Sequence, residues 1–214
     1  MAQLPGIDVS AAQGQKLDWP SIARAGIRFT LCKASEHVGY VDPTFHRNVM
    51  EADKVGIVRG SYHFFRVEAD PEKQAQLYFR TAVQWTELPP AMDFESLRGV
   101  APKVARPRAF AFMKATEALW GRPCMVYTYP SFWDGLGNPA APEFGARPLW
   151  IANYGVKKPK LPRPWSAWTF WQYDGNGGKR LPQGIDSDFN WFNGDEAALK
   201  ELCARRVTTS HPVV

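Results

Sequence analysis

No run of about eighteen uninterrupted apolar residues occurs in this 214-residue sequence, so no segment reads as a membrane-spanning helix. Met1-Ala2-Gln3-Leu4-Pro5 has neither a basic start nor an apolar stretch. The expectation is a chain made in the cytoplasm without a signal peptide, with no stable membrane insertion. Cysteine is scarce. Cys32, Cys124 and Cys203 are odd in number and lack metal-ligand spacing, which excludes a disulfide framework or a zinc site and leaves buried or free thiols. The four histidines are isolated, so no metal or other cofactor is expected. RNA-binding and zinc-finger patterns are absent, and the net charge of +5 comes from scattered Lys and Arg, so nucleic acid is not an expected partner. The short clusters Lys157-Lys158-Pro159-Lys160 and Arg205-Arg206 read as solvated basic faces. No repeat or linker divides the chain, which reads as one monomeric domain over 1–206 with a loose tail over 207–214.

Hydrophobic residues make up 45% of the chain, enough for a sizeable core. Short apolar runs alternate with helical patterns. Leu4 to Ser10, Ile27 to Lys33, Ile57 to Phe65, Leu88 to Glu95 and Cys124 to Thr128 read as strands. Asp18, Asp42-Pro43 and Asp70-Pro71 carry the cap-plus-proline signature of helix starts, and a further helix is expected from Arg106 to Trp120. Ser35-Glu36-His37 reads as a polar loop. Beyond Pro130 the strands Leu149 to Asn153, Thr169 to Tyr173 and Ile185 to Phe189 are separated by Gly- and Pro-rich segments, with one closing helix from Asp195 to Arg205. The fold class is therefore α/β: an irregular TIM-like barrel with five βα units followed by three strands lacking full helices. An open doubly wound sheet is the alternative.

The apolar run Leu88-Pro89-Pro90-Ala91-Met92 ends in Asp93-Phe94-Glu95. Alternation on a strand turns Asp93 and Glu95 to one side and Phe94 to the other. Two acids in one small space favour keeping one protonated, which supplies the general acid and anionic partner of glycosidic cleavage. An isolated Asp-x-Glu more often caps a helix or binds Lys and Arg. Asp8 and Asp188, however, also fall at strand ends, and the first and last strands are neighbours when a barrel closes. Four acids converging at one barrel end shift the balance toward catalysis.

In chain order, several segments resemble the glycoside hydrolase family 25 muramidases, the Chalaropsis-type lysozymes. They are Gly6-Ile7-Asp8-Val9-Ser10, Lys33-Ala34-Ser35-Glu36 with Tyr40-Val41-Asp42-Pro43, Gly60-Ser61-Tyr62-His63-Phe64, Pro89 to Glu95, Leu149-Trp150-Ile151-Ala152-Asn153-Tyr154, Trp171-Gln172-Tyr173 and Asp188-Phe189-Asn190. The resemblance implies cleavage of the β-1,4 bond between N-acetylmuramic acid and N-acetylglucosamine in peptidoglycan. It also implies a proton-donor role for Glu95, with Asp93, Asp8 and Asp188 as the surrounding carboxylates. His37 departs from it, standing where the family usually has Gly.

With a substrate that carries N-acetyl groups, a route in which the acetamide oxygen attacks the anomeric carbon, oriented by Asp93, is preferred over direct attack by Asp93. Tyr62, Tyr154 and Gln172 are candidate sugar contacts, Lys33 and Glu36 are polar residues at the site rim, and His63 reads as structural. A non-catalytic sugar-binding barrel would lose the acids, and a chitin-directed hydrolase would carry an acid where Ala91 stands. A wall substrate without an export signal favours an endolysin released by a holin or delivered by another route.

Overall fold

The structure, a computed structural model, describes residues 2–13, 17–175 and 187–206. Strands β1 (Leu4–Val9), β2 (Phe29–Glu36) and a two-residue β3 (Tyr40–Val41) are followed by β4 (Val58–Phe64), β5 (Ala91–Asp93), β6 (Met125–Thr128), β7 (Leu149–Ala152), β8 (Phe170–Asp174) and β9 (Asp188–Phe192). Helices α1 (Trp19–Arg24), α2 (Phe45–Lys54), α3 (Pro71–Ala82) and α4 (Pro102–Trp120) carry the chain back after β1, β3, β4 and β5. Two short helices, α5 (Pro130–Gly135) and α6 (Pro142–Gly145), follow β6, and α7 (Glu196–Ala204) ends the described chain. Parallel pairing runs from β1 through β2, β4, β5, β6, β7 and β8. Antiparallel β9 joins β8 to β1 and closes an eight-stranded barrel, with β3 attached outside on β2.

Helix starts follow from their caps. The Asp18, Asp70 and Asp195 carboxylates accept the N–H groups of Ser21, Lys73 and Ala198 at 3.0, 3.0 and 2.9 Å, each worth about 1 kcal/mol. Strand alternation then sorts the core into two layers. Ile7, Val9, Cys32, Ala34, Met92, Phe94, Val126 and Ile151 pack outward against the helices. Phe29, Leu31, Ala91, Met125, Trp150, Phe170 and Phe192 fill the lumen, and Leu199 and Leu202 of α7 plug the end opposite the strand C-termini. Small residues make room inside: a Cβ at Gly60 would come within 2.6 Å of Leu31 and 2.9 Å of Leu88.

Some boundaries differ from the sequence reading. Ser35 and Glu36 belong to the end of β2, because β3 folds back to pair with them. His37 makes the turn with φ 55° in the left-handed region, so the loop keeps the path a glycine would take, at a cost of about 1 kcal/mol. Helix α4 starts at Pro102, four residues before the expected Arg106, so Pro107 lies in its interior. Strand β5 stops at Asp93, two residues short of Glu95. The last strand spans Asp188–Phe192 and runs antiparallel, so Asp188 lies at its beginning. Its antiparallel pairing with both β8 and β1 runs Asp188–Phe192 away from the end where the parallel strands terminate. Ile185, Asp186 and the tail 207–214 lie outside the described residues.

Arg122 ties the floor of the barrel together. Its guanidinium, 6% exposed, donates to the carbonyls of Glu87 at 2.6 Å, Leu202 at 3.0 Å, Cys203 at 2.7 Å and Arg205 at 3.2 Å. Three of these belong to the C-terminal end of α7, where a cation also meets the negative end of the helix dipole. Arg122→Ala strands those carbonyls and is expected to cost about 3 kcal/mol, lowering Tm by roughly 6–12 °C. A calorimetric shift below about 2 °C would show that water replaces the guanidinium without loss.

Candidate active site

The C-terminal ends of the parallel strands form the barrel mouth, and antiparallel β9 begins there. Register places Asp188 directly across from Asp8. It also aligns Glu36, Phe64, Asp93 and Tyr127 in one row across β2, β4, β5 and β6. All four sequence-predicted acids therefore lie at this end, and the strand reversal is what brings Asp188 in.

Asp8 is 5% exposed, and its Oδ2 accepts from Gln172 Nε2 at 2.8 Å and Asn190 Nδ2 at 2.7 Å. The Gln172 amide also reaches Asp188 Oδ2 at 3.4 Å, so one nitrogen bridges both carboxyl groups. Burial, and then the Asp188 charge, hold the Asp8 carboxyl well above the usual carboxylate range. Asn190 in turn accepts from the Trp150 indole N–H at 2.7 Å. The Gln172 carbonyl accepts from the hydroxyls of Tyr127 at 2.9 Å and Tyr154 at 2.5 Å. Gln172, expected as a sugar contact, thus spends its amide inside the protein as the hub that sets two acids and two tyrosines.

Asp93, 6% exposed, differs from Asp8 in its bonding: its Oδ1 is buried and has no hydrogen-bond partner among the described residues. Burial first, then the neighbouring Glu95, push its carboxyl well up, while Lys33 pulls it down. Although β5 ends at Asp93, the Phe94 N–H still bonds the Tyr127 carbonyl at 3.0 Å, so the alternation persists past the strand. Phe94 is fully buried against Phe132 and Phe65 outside the barrel. Glu95 lines a cleft of about 420 Å³ together with Tyr127, Tyr129, Asn153 and Tyr154. Partial burial raises the Glu95 carboxyl, against the opposing pull of Lys33 and Arg66.

Tyr154 is half-exposed on the cleft wall, and Gly175 lies under it, where a Cβ would come within 2.5 Å of the ring. Tyr62 is partly buried, its ring 5.7 Å from Trp150, and burial with the surrounding carboxylates holds its hydroxyl well above the ordinary phenol range. Lys33 and Glu36 form an ion pair of 2.6 Å at the rim, and Arg66 joins it through Glu36. His63 is structural: fully buried, it meets Ser35 Oγ at 2.9 Å and Gln74 Oε1 at 3.1 Å, and burial pushes it down to about 4.

The sequence reading missed Tyr127, Tyr129, Asn190 and Arg66. Tyr127 sits near a strand C-terminus and Arg66 follows one, the same signal that flagged the acids. Asn190 was hidden by the misread direction of the last strand, which placed it beyond the strand end.

A closed βα barrel with acids gathered at the end where its parallel strands terminate defines this protein as a barrel glycoside hydrolase. The family model described as "Glycosyl hydrolases family 25" matches residues 7–180. Lysozyme M1 of Streptomyces globisporus is 33% identical over 208 residues, covering 92% of this chain and 70% of that protein. The N,O-diacetylmuramidase of Chalaropsis sp is 29% identical over 213 residues, covering 92% and 97%. The crystal structure of a bacterial lysozyme from Streptomyces coelicolor superposes with a TM-score of 0.86 at 33% identity, covering 95% of this chain and 98% of that one. The chain belongs to glycosyl hydrolase family 25. No helix among the described residues is long and apolar enough to cross a membrane.

Proposed function

We propose that this chain hydrolyses peptidoglycan by cleaving the β-1,4 bond between N-acetylmuramic acid and N-acetylglucosamine. The observation that carries the reading is Asp93: a buried carboxyl whose Oδ1 has no hydrogen-bond partner among the described residues, next to Glu95 at the edge of an open cleft. An orphaned acceptor of this kind fits a substrate donor such as an acetamide N–H. The family relatives named lysozyme and muramidase support the substrate class.

In this reading Glu95 protonates the leaving oxygen, Asp93 orients the acetamide whose oxygen attacks the anomeric carbon, and Asp8 with Asp188 supplies the remaining charge. Burial raises both carboxyls, and the Glu95 charge raises Asp93 further, so the pair resists losing both protons in the free enzyme. An acetamide N–H bonded to Asp93 Oδ1 favours the ionised form of Asp93 and so favours the proton on Glu95, where the acid is needed. Tyr127, Tyr129 and Tyr154 form the wall against which a sugar ring packs. Mass spectrometry of purified peptidoglycan after digestion is expected to show new reducing ends on N-acetylmuramic acid. Reducing ends on N-acetylglucosamine alone, or no new ends, would overturn the assignment.

A further inference from the structure

The rim of the mouth carries a charge cluster that the acid chemistry leaves unexplained. Lys33 Nζ donates to Glu36 Oε2 at 2.6 Å, and Arg66 Nε donates to Glu36 Oε1 at 2.7 Å, with Nη2 on the same oxygen. Phe64 is the pedestal: the ammonium stands 5.0 Å and the guanidinium 4.7 Å from its ring centroid. Register sets Phe64 between Glu36 and Asp93, so the cluster stands one strand from the acid pair. Arg66 is itself pinned, its N–H donating to Gln74 Oε1 and its carbonyl accepting from Gln74 Nε2, each at 2.9 Å. The three charged side chains are only 16–20% exposed, which limits screening by water.

We propose that Lys33, Glu36 and Arg66 form a clamp of net positive charge that fixes the protonation state of the Asp93–Glu95 pair, with Glu36 and Arg66 as positioning residues. The clamp rests on the reading of Asp93 and Glu95 as the reacting acids. Two cations and one anion leave one positive charge beside the pair. This opposes Asp8 from β1, whose charge raises Asp93; the other titratable groups facing the pair are the hydroxyls of Tyr62, Tyr127, Tyr129 and Tyr154, from β4, β6 and the segments after β6 and β7. Without the clamp, burial would raise both carboxyls further and mutual repulsion would keep one of them protonated over a wider pH range. Lys33 and Arg66 both act to lower Glu95, and Lys33 lowers Asp93.

The charge arithmetic makes opposite predictions for two variants that break the same cluster. Arg66→Gln leaves it neutral, so both carboxyls titrate higher and both limbs of the kcat/KM profile move up by about half a pH unit or more. Glu36→Gln leaves two positive charges, so both limbs move down by a similar amount. Arg66→Lys keeps the charge and the wild-type limbs. A purely structural ion pair would move the first two variants the same way, or reduce kcat with the limbs unmoved, and either result overturns the clamp. Titration of the full chain by carboxyl ¹³C NMR reads the same displacements without relying on activity. Opposite NMR displacements with unaltered lysis would keep the clamp and remove Asp93 and Glu95 from the chemistry; carboxyls that fail to move would remove the clamp alone.

Discussion

Glu95→Gln is expected to lose at least about 10²-fold in wall lysis while melting within about 2 °C of the wild type. The substitution keeps the shape of the side chain and removes only the transferable proton. Glu95 lies past the end of β5, on the wall of an open cleft, so the substitution leaves the strand pairings of the barrel untouched. Its carboxyl is raised by burial, so the neutral amide meets no new desolvation penalty. Stability and activity therefore separate at this position. Retention of more than a few per cent of wild-type turnover would remove Glu95 as the acid, because general acid catalysis contributes about 10²–10⁴-fold. The same acid sets a sign for pH dependence: it works only while protonated, so kcat falls as pH rises through its pKa in the complex.

How far the sequence discloses such a site depends on which physical signal each element carries. Strands β1, β2, β4, β6 and β7 are short apolar runs bounded by turn residues, and buried parallel strands need little else. Helices α1, α3 and α7 announce themselves by capping aspartates that the structure shows in use. Asp8 and Asp93 are legible because a lone acid at the end of an apolar run has no reason to be there unless it faces a mouth. Strand direction has no such local signature. The reversal of β9 depends on what lies between it and β8, so Asn190, the second donor to Asp8, could not be separated from a loop residue. Gln172 illustrates a different limit. Its side chain was visible as polar at a strand end, but whether an amide contacts ligand or other site residues is decided by three-dimensional neighbours, and here both its nitrogen and its oxygen are taken. The start of α4 was read four residues late: the helix runs on either side of Pro107, where Ala105, Ala109, Phe112 and Met113 bury a continuous face that outweighs one missing hydrogen bond.

Asp93→Asn tests the route as well as the residue, and its effects on rate and stability are expected to oppose each other. Folding buries the Asp93 carboxyl with no hydrogen bond to Oδ1 from the described residues and pushes its pKa up. A raised folded-state pKa means the native state binds more protons than the unfolded chain, so the contribution of this group is fully present below about pH 4 and is lost as pH rises toward the folded value. Asparagine removes that loss. The variant is therefore expected to melt a few degrees above the wild type at pH 7–8, with the gain shrinking to nothing near pH 4. Activity should fall by about 10²-fold or more, because a neutral amide cannot stabilise the cation formed when the acetamide oxygen closes on the anomeric carbon. The alkaline limb of kcat should also move to lower pH, since Glu95 no longer faces an anion in the complex. A thiazoline analogue of N-acetylhexosamine should inhibit the wild type by resembling the cyclised intermediate, and bind Asp93→Asn much more weakly. A covalent sugar trapped on Asp93 with a fluorinated substrate, or a first-formed product of inverted anomeric configuration, would exclude the acetamide as nucleophile and leave the assignment of Glu95 standing.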